Sequence, residues 1–330
     1  MTLKELSEKI NISPSTISRV LNDKPGISDK TREKVFEAVK KEGFTSPYMT
    51  KKLSTSKTKF IGVVARKRFQ DQDTIFFSNT LSQFQDVFVS NGFIVVPLYY
   101  NKNEIDFENS PLSPQDFAGF IVRGQSIPVK TILSIKKYNV PFVLLENNLR
   151  GYKVNSVICN DFELEYDLTK MLLDKGLKRI IHITGPATWY NNSERIKGYK
   201  KALLENNLNP EIYNFKDTTL DFGKKSFDSL DIKKNEKVGI TFGNDAMAIG
   251  FIHALRNTEY KIPADISIVG FDDIPWAHLS SPPLTTAKIH VAQMGRLAAN
   301  RLIDLIDNKK LNDKPIMVVV SGDIIVRESC

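Results

Sequence analysis

The chain has 330 residues, of which 41% are apolar and 25% charged, and a formal net charge of +8. That length holds two or three domains with cores of their own, in the composition of an ordinary globular protein. No run reaches the roughly 18 apolar residues of a membrane span, no apolar h-region follows Met1, and Cys159 and Cys330 are too few for a disulfide framework or a Cys-rich zinc site. A cytoplasmic protein without a metal site is expected. Of the four scattered histidines, His182 lies in the apolar run RIIHITG and reads as a core residue.

The charge is uneven. Met1 to Lys59 carries thirteen Lys/Arg and seven Asp/Glu, a net +6, which leaves +2 for the rest. A basic head on a nearly neutral body suits a polyanionic partner, although a solvated lysine-rich segment would show the same excess. Thr2 to Lys9 predicts a first helix, with Thr2 and Glu5 as a capping box and Leu3, Leu6 and Ile10 on one face. Ser13-Pro14 is an N-cap followed by Pro at the first helical position. The helix it starts carries the apolar stripe Ile17, Val20 and Leu21 and ends at Pro25-Gly26. Ser28 caps a third helix to about Glu42, with Val35, Phe36 and Val39 inward. Two short helices across a tight turn, completed by a third, is the helix-turn-helix layout, whose second helix enters the major groove. Off its apolar stripe lie Ser15, Thr16, Ser18 and Arg19, short hydroxyls that permit close approach and a guanidinium that suits a guanine edge. A helical bundle for protein contact would explain neither the basic excess nor the Glu-free face.

These residues, TLKELSEKINISPSTISRVLNDKPGISDKTREKVFEAVKKEGF, resemble the DNA-binding head of the lactose/galactose repressor (LacI/GalR) family of bacterial transcription regulators. The resemblance implies that Pro14 and Ser15 read bases, that Arg19 makes a further base or phosphate contact, and that Ser13, Thr16, Ser18 and Asn22 hold phosphates. The linker after Phe44 would then be a hinge helix that folds on DNA. Leu53 stands at the position of the family's minor-groove wedge, a device that kinks a flexible step. Here Ser46-Pro47 replaces the usual Pro-Asn, and Thr50 a usual Ala.

From Phe60 apolar runs alternate with helical stretches, the mark of parallel α/β architecture. The predicted strands are FIGVVA, FIVVPL, GFIV, PFVLL, SVIC, RIIHIT, VGIT and ISIVGF, with amphipathic stretches such as Leu81–Asn91, Asp161–Lys175 and Arg195–Asn206 between them. Ligands of such sheets bind beyond the strands' carboxyl ends. Arg66, Phe76-Phe77, Arg123, Glu146, Trp189 with Arg195, Asn244-Asp245 and Asp272-Asp273 follow successive runs. Guanidinia, carboxylates, amides and aromatic rings together suit a polyhydroxylated or charged small molecule.

The resemblance continues through RIKGY, FGNDAMAIG, PADISIVGFDDIPWAHLSSPPLTT and VRES, the last matching the family's final strand. It implies a periplasmic-binding-protein-like body of two doubly wound parallel α/β sub-domains, crossed near Ile158, Lys288 and Val319. Arg195, Asn244 and Asp272 would bind an effector, with Arg123 and Glu146 at further pocket positions and Phe76 or Phe77 stacked on the ligand. The domains expected are a helix-turn-helix head (1–43), a hinge (44–59) and an effector-binding and dimerisation body (60–330). Its N-sub-domain takes about 60–158 and 289–318, its C-sub-domain about 159–288 and 319–330. Arg66, Arg123 and Arg195 would surround one cavity with Glu146 and Asp272, so the effector expected is a sugar, sugar phosphate or sugar acid, with a negative group alongside its hydroxyls if Arg66 faces the cavity rather than solvent. Ile289 stands where the family often has glutamine.

The function expected is a dimeric transcription repressor on a pseudo-palindromic operator, controlled by a small-molecule effector, with no catalytic residues and no other cofactor. The chain stops at Cys330 without a heptad tail, which favours a dimer over a tetramer. A secreted solute-binding protein would share the body but carry an export signal instead of the basic head. A sugar-metabolising enzyme would need a phosphate-gripping loop or an activated nucleophile; G-x-G-x-x-G, P-loop and G-x-S-x-G patterns are absent.

Overall fold

The computed structural model describes residues 3–21, 26–41, 59–66, 84–101, 104–107, 112–233, 236–308 and 314–330. The head holds helices α1 (Leu3–Ile10), α2 (Pro14–Leu21) and α3 (Asp29–Lys41). Leu6, Ile17, Val20 and Val35 are buried together, with Ile10, Ile12, Ile27 and Ala38 packed against them. Both later helices begin on a hydroxyl. Ser13 Oγ accepts the Thr16 N–H at 3.1 Å, and Ser28 Oγ accepts the Thr31 N–H at 3.3 Å. Such a cap is worth about 1 kcal/mol, a large share of the stability of so small a core.

The body contains two sheets. Strands β1 (Lys59–Arg66), β2 (Phe93–Asn101), β3 (Glu104–Ile105), β4 (Phe117–Arg123), β5 (Phe142–Leu145), β6 (Ser156–Cys159) and β12 (Met317–Val320) form one, in the order β12-β6-β5-β4-β1-β2-β3. The other takes β7 (Arg179–Thr184), β8 (Glu211–Asn214), β9 (Val238–Phe242), β10 (Ile266–Asp272), β11 (Thr285–Lys288) and β13 (Asp323–Ile325), in the order β13-β11-β10-β9-β7-β8. Pairing is parallel except at β2/β3 and β11/β13. All eight apolar runs are strands. Every residue of β6 and β9 is buried, because helices cover both faces of a parallel sheet.

The chain passes from the first sheet to the second after Cys159, returns after Lys288, and passes over again after Val320. Helices α4 (Val129–Ile135), α5 (Asp161–Asp174), α6 (Tyr190–Glu205), α7 (Leu220–Ser226), α8 (Asp245–Leu255) and α9 (Val291–Asp307) link the strands. Helix α9 follows the second sheet in sequence but packs on β4, β5 and β6 of the first. The last strand is Asp323–Ile325, so the expectation that VRES forms it is corrected. Residues 326–329 stay beside the sheet without extending the ladder, and the Ser329 carbonyl accepts the Ile268 N–H at 2.7 Å. The Arg327 N–H donates to Thr285 Oγ1 at 2.8 Å and Ser329 Oγ to the Ile268 carbonyl at 2.6 Å.

His182 is fully buried, its Nδ1 2.7 Å from Thr241 Oγ1 and 3.3 Å from Glu165 Oε1, with its ring stacked on Tyr199. Among the described residues no helix is long and apolar enough to cross a membrane.

Candidate nucleic-acid interface and effector cleft

Helix α2 carries the head's candidate contacts. Ser13 Oγ is shared within its first turn, 2.9 Å from Ser15 Oγ and 2.8 Å from Thr16 Oγ1. Ile17 and Val20 fix the helix to the core, while Ser13, Pro14, Ser15 and Arg19 are exposed and Thr16 and Ser18 half-buried. The helix has no acidic residue in its first turn, so its amino terminus offers unopposed positive potential to a phosphate. Gly26 has φ +88, and a Cβ there would stand 3.6 Å from the Arg19 guanidinium. Asn22, Leu53, Phe76, Phe77 and the linker 44–58 lie outside the described residues.

In the body, Arg123 ends β4 and Glu146 follows β5. Arg123 Nε lies 3.2 Å from Glu146 Oε2, and both side chains are about nine-tenths buried. On helix α6, which follows β7 of the second sheet, Arg195 is 2% exposed. Its Nε donates to Asp161 Oδ1 at 2.8 Å, its Nη2 approaches the same oxygen at 2.8 Å, and its Nη1 donates to the Gly243 carbonyl. Nη2 also lies 3.7 Å from Asp272 Oδ1, and the guanidinium sits 3.6 Å from the Phe271 ring centroid. The glycine of RIKGY makes this possible: a Cβ on Gly198 would collide with the Phe162 carbonyl. Its absence lets α6 close on α5, so that Arg195 reaches Asp161. The sequence reading did not single out Asp161, although it follows a strand end as the other acids do.

Burial pushes the Asp272 carboxyl well above the usual carboxylate range; Arg195 opposes this, while Asp245, Glu146 and Asp161 add to it. Asp161 is raised for the same first reason, again against Arg195 and with Glu146. Glu146 follows β5 and Asp161 follows β6 of the first sheet, Asp272 ends β10 of the second, and Arg195 on α6 contacts both Asp161 and Asp272. Glu146 and Asp272 both have positive φ, 59° and 116°, a cost that concentrates at binding sites.

The remaining candidates stand at the margins of this cluster. Arg66 Nη1 donates to Asp217 Oδ2 at 3.0 Å, joining the end of β1 to the loop after β8. Arg150 makes a second link between the halves, to Ser193 Oγ at 2.9 Å and to Glu194. Asn244 caps α8: its Oδ1 accepts the Met247 N–H and its Nδ2 donates to the Thr218 carbonyl, each at 3.0 Å. Trp189 is half-buried at the N-cap of α6. A cavity of about 450 Å³, lined by Lys288, Ile289, His290, Val291, Gln293 and Arg296 among others, opens beside the second crossover. Arg66, Arg123 and Arg195 each have a carboxylate partner. Among the described residues no group of three metal-ligating side chains occurs.

Residues 2–46 match the bacterial regulatory proteins of the lacI family, and residues 169–330 the periplasmic binding protein-like domain. The HTH-type transcriptional regulator RegA of Clostridium saccharobutylicum is 28% identical over 337 residues, covering 99% of this chain and 98% of that protein. The solved complex of the transcriptional regulator CelR with cellobiose superposes with a TM-score of 0.70 at 23% identity, covering 100% of both chains. The lac repressor dimer bound to operator and an anti-inducer superposes with a TM-score of 0.68 at 21% identity, covering 100% of this chain and 98% of that one. The chain thus carries a helix-turn-helix DNA-binding head of the lacI family of bacterial regulatory proteins and a periplasmic binding protein-like domain.

Proposed function

We propose that the protein acts in the cytoplasm as a homodimeric repressor of a pseudo-palindromic operator and senses an uncharged, hydroxyl-rich sugar in the cleft of Arg123, Glu146, Asp161, Arg195 and Asp272. One observation carries the choice of ligand: each cleft arginine is already paired with a carboxylate, two cations against three acids. A sugar phosphate or sugar acid would have to displace one of those carboxylates. Carboxyl oxygens are acceptors in pairs, which suits vicinal hydroxyls. The cellobiose in CelR supports the same ligand class.

At the head, Ser15 and Arg19 read bases and Ser13, Thr16 and Ser18 grip phosphates, with Asn22 and Leu53 completing the contacts. The head spans 1–43, the hinge 44–59 and the body 60–330, whose halves close on the effector. Coupling of this kind is on the order of 1–3 kcal/mol. Binding rather than catalysis fits the cleft, since the Asp273 carboxylate is engaged by Arg327.

A thermal-shift screen of sugars, sugar phosphates and sugar acids, followed by calorimetry, tests the ligand. Tight binding of an acidic or phosphorylated member with none of its neutral parent overturns the uncharged assignment. A gel shift on palindromic DNA tests the head, because phosphate contacts make log affinity fall with log salt.

A further inference from the structure

Asp272, the last residue of β10, and Asp273 after it adopt conformations more usual for glycine, φ 116 and 53. Asp tolerates the compact left-handed region, but φ 116 lies beyond it, so the surroundings have to hold the turn. Arg327 Nη2 donates to Asp273 Oδ1 at 2.6 Å, and Lys288 Nζ lies 3.8 Å from Asp273 Oδ2. On the other side the Ile274 N–H donates to Asp245 Oδ2 at 2.9 Å, and Thr286 Oγ1 donates to Asp245 Oδ1 at 2.6 Å. Arg327 is itself anchored, with its Nη1 on the Leu284 carbonyl at 2.6 Å.

The places these anchors come from matter. Lys288 is the last residue of β11, where the chain leaves for the first sheet, and it lines the cavity beside that crossover. Arg327 follows β13, after the chain has returned. The turn bearing Asp272 is therefore tied to both later crossings between the halves of the body.

We propose that Asp273 and Arg327 are a positioning pair for effector recognition. They hold Asp272 in the conformation that presents its carboxylate to the cleft and tie that conformation to the crossovers, without themselves touching the effector. This rests on the cleft being the effector site.

The test uses the full chain with Arg327→Ala, Arg327→Lys and the near-isosteric Asp273→Asn. Backbone amide exchange at 271–275 in the unliganded protein should accelerate at least tenfold in Arg327→Ala and less in Arg327→Lys. Calorimetry with D-glucose, D-ribose and cellobiose should show the tightest binder weakened at least tenfold by Arg327→Ala and by Asp273→Asn, and partly restored in Arg327→Lys, with Asp273→Asn moving Tm by only a few degrees. Faster exchange with unchanged sugar affinity makes the pair merely structural and overturns the proposal, as does unchanged exchange. A wild type that binds none of the three sugars, nor any other in the screen, overturns the effector reading and this role with it. Exchange would then still report whether the pair holds the turn.

Discussion

Replacing Asp161 with Ala strands the Arg195 guanidinium in a site where it is 2% exposed. Two contacts at 2.8 Å are lost, and what remains is the Gly243 carbonyl and Asp272, whose oxygen is 3.7 Å away. Breaking a buried pair from one side costs roughly 3–5 kcal/mol, because the surviving charge stays desolvated. The residual partners place this case at the lower end, about 3 kcal/mol. At roughly 2–4 °C per kcal/mol for a unit of this size, Tm should fall by about 6–12 °C. Urea unfolding followed by tryptophan fluorescence reads the correct half of the molecule, since Trp189 and Trp276 are the protein's two tryptophans and both lie in the segment of the second sheet. The decisive comparison is the same Asp161→Ala change in an Arg195→Met background. With no cation left to strand, it should cost less than about 1 kcal/mol, a coupling of at least about 2 kcal/mol. Equal costs in the two backgrounds would refute the reasoning that Asp161 exists to neutralise Arg195.

Arg19→Ala should lower the preference for operator over random DNA by about 1–3 kcal/mol in competition gel shifts, leaving calorimetric effector binding intact; retained sequence preference removes Arg19 from base reading. Asp272→Ala should do the reverse, keeping operator affinity while abolishing its response to sugar; an unaltered response takes Asp272 out of the effector site. Burial raises the Asp245 carboxyl to about 7, partly opposed by its bonds from Thr286 and Ile274. A folded value above the unfolded one means its contribution is full below about pH 4 and is lost as pH rises through 7. Asp245→Asn should therefore flatten the stability profile between pH 4 and 7 by a few kcal/mol relative to wild type, and parallel profiles from urea titrations would exclude the assignment. Glu194→Ala should leave Arg150 with its bond to Ser193 and quicken sugar dissociation only severalfold, as should 0.5 M salt, because such exposed pairs are worth about 0–1 kcal/mol; a much larger effect would mean that the link controls closure.

The parts of this molecule that could be read in advance are those in which one segment's chemistry is sufficient. The α2 stripe of Ile17 and Val20 and the caps at Ser13 and Ser28 are local, and each has its observed counterpart. Eight of the parallel strands were legible because burial on both faces demands unbroken apolar runs, whereas β8 and β11, also paired in parallel, carry no such run. Helix α8 was not, since eight of its eleven residues are buried and a helix apolar all round shows no stripe against which to fix a period. Strands β12 and β13 are short, and each acquires its place only from a strand far away in sequence, β6 and β11 respectively.

The cleft shows the same limit in its charges. Arg66, Arg123 and Arg195 were visible as cations at strand ends, and three cations around one cavity argue for an anionic ligand. Their partners come from elsewhere: Asp217 is 151 residues from Arg66, and Asp161 is 34 from Arg195. Only folding decides whether a guanidinium faces a ligand or an internal carboxylate, and in a buried site that decision reverses the sign of what the site attracts. Composition at the strand ends thus announces that a polar ligand is recognised, whereas the pairing determines which one. Under the effector reading proposed above, the paired arginines leave the cleft no positive charge to spare, and hydroxyl groups are what its acids would take.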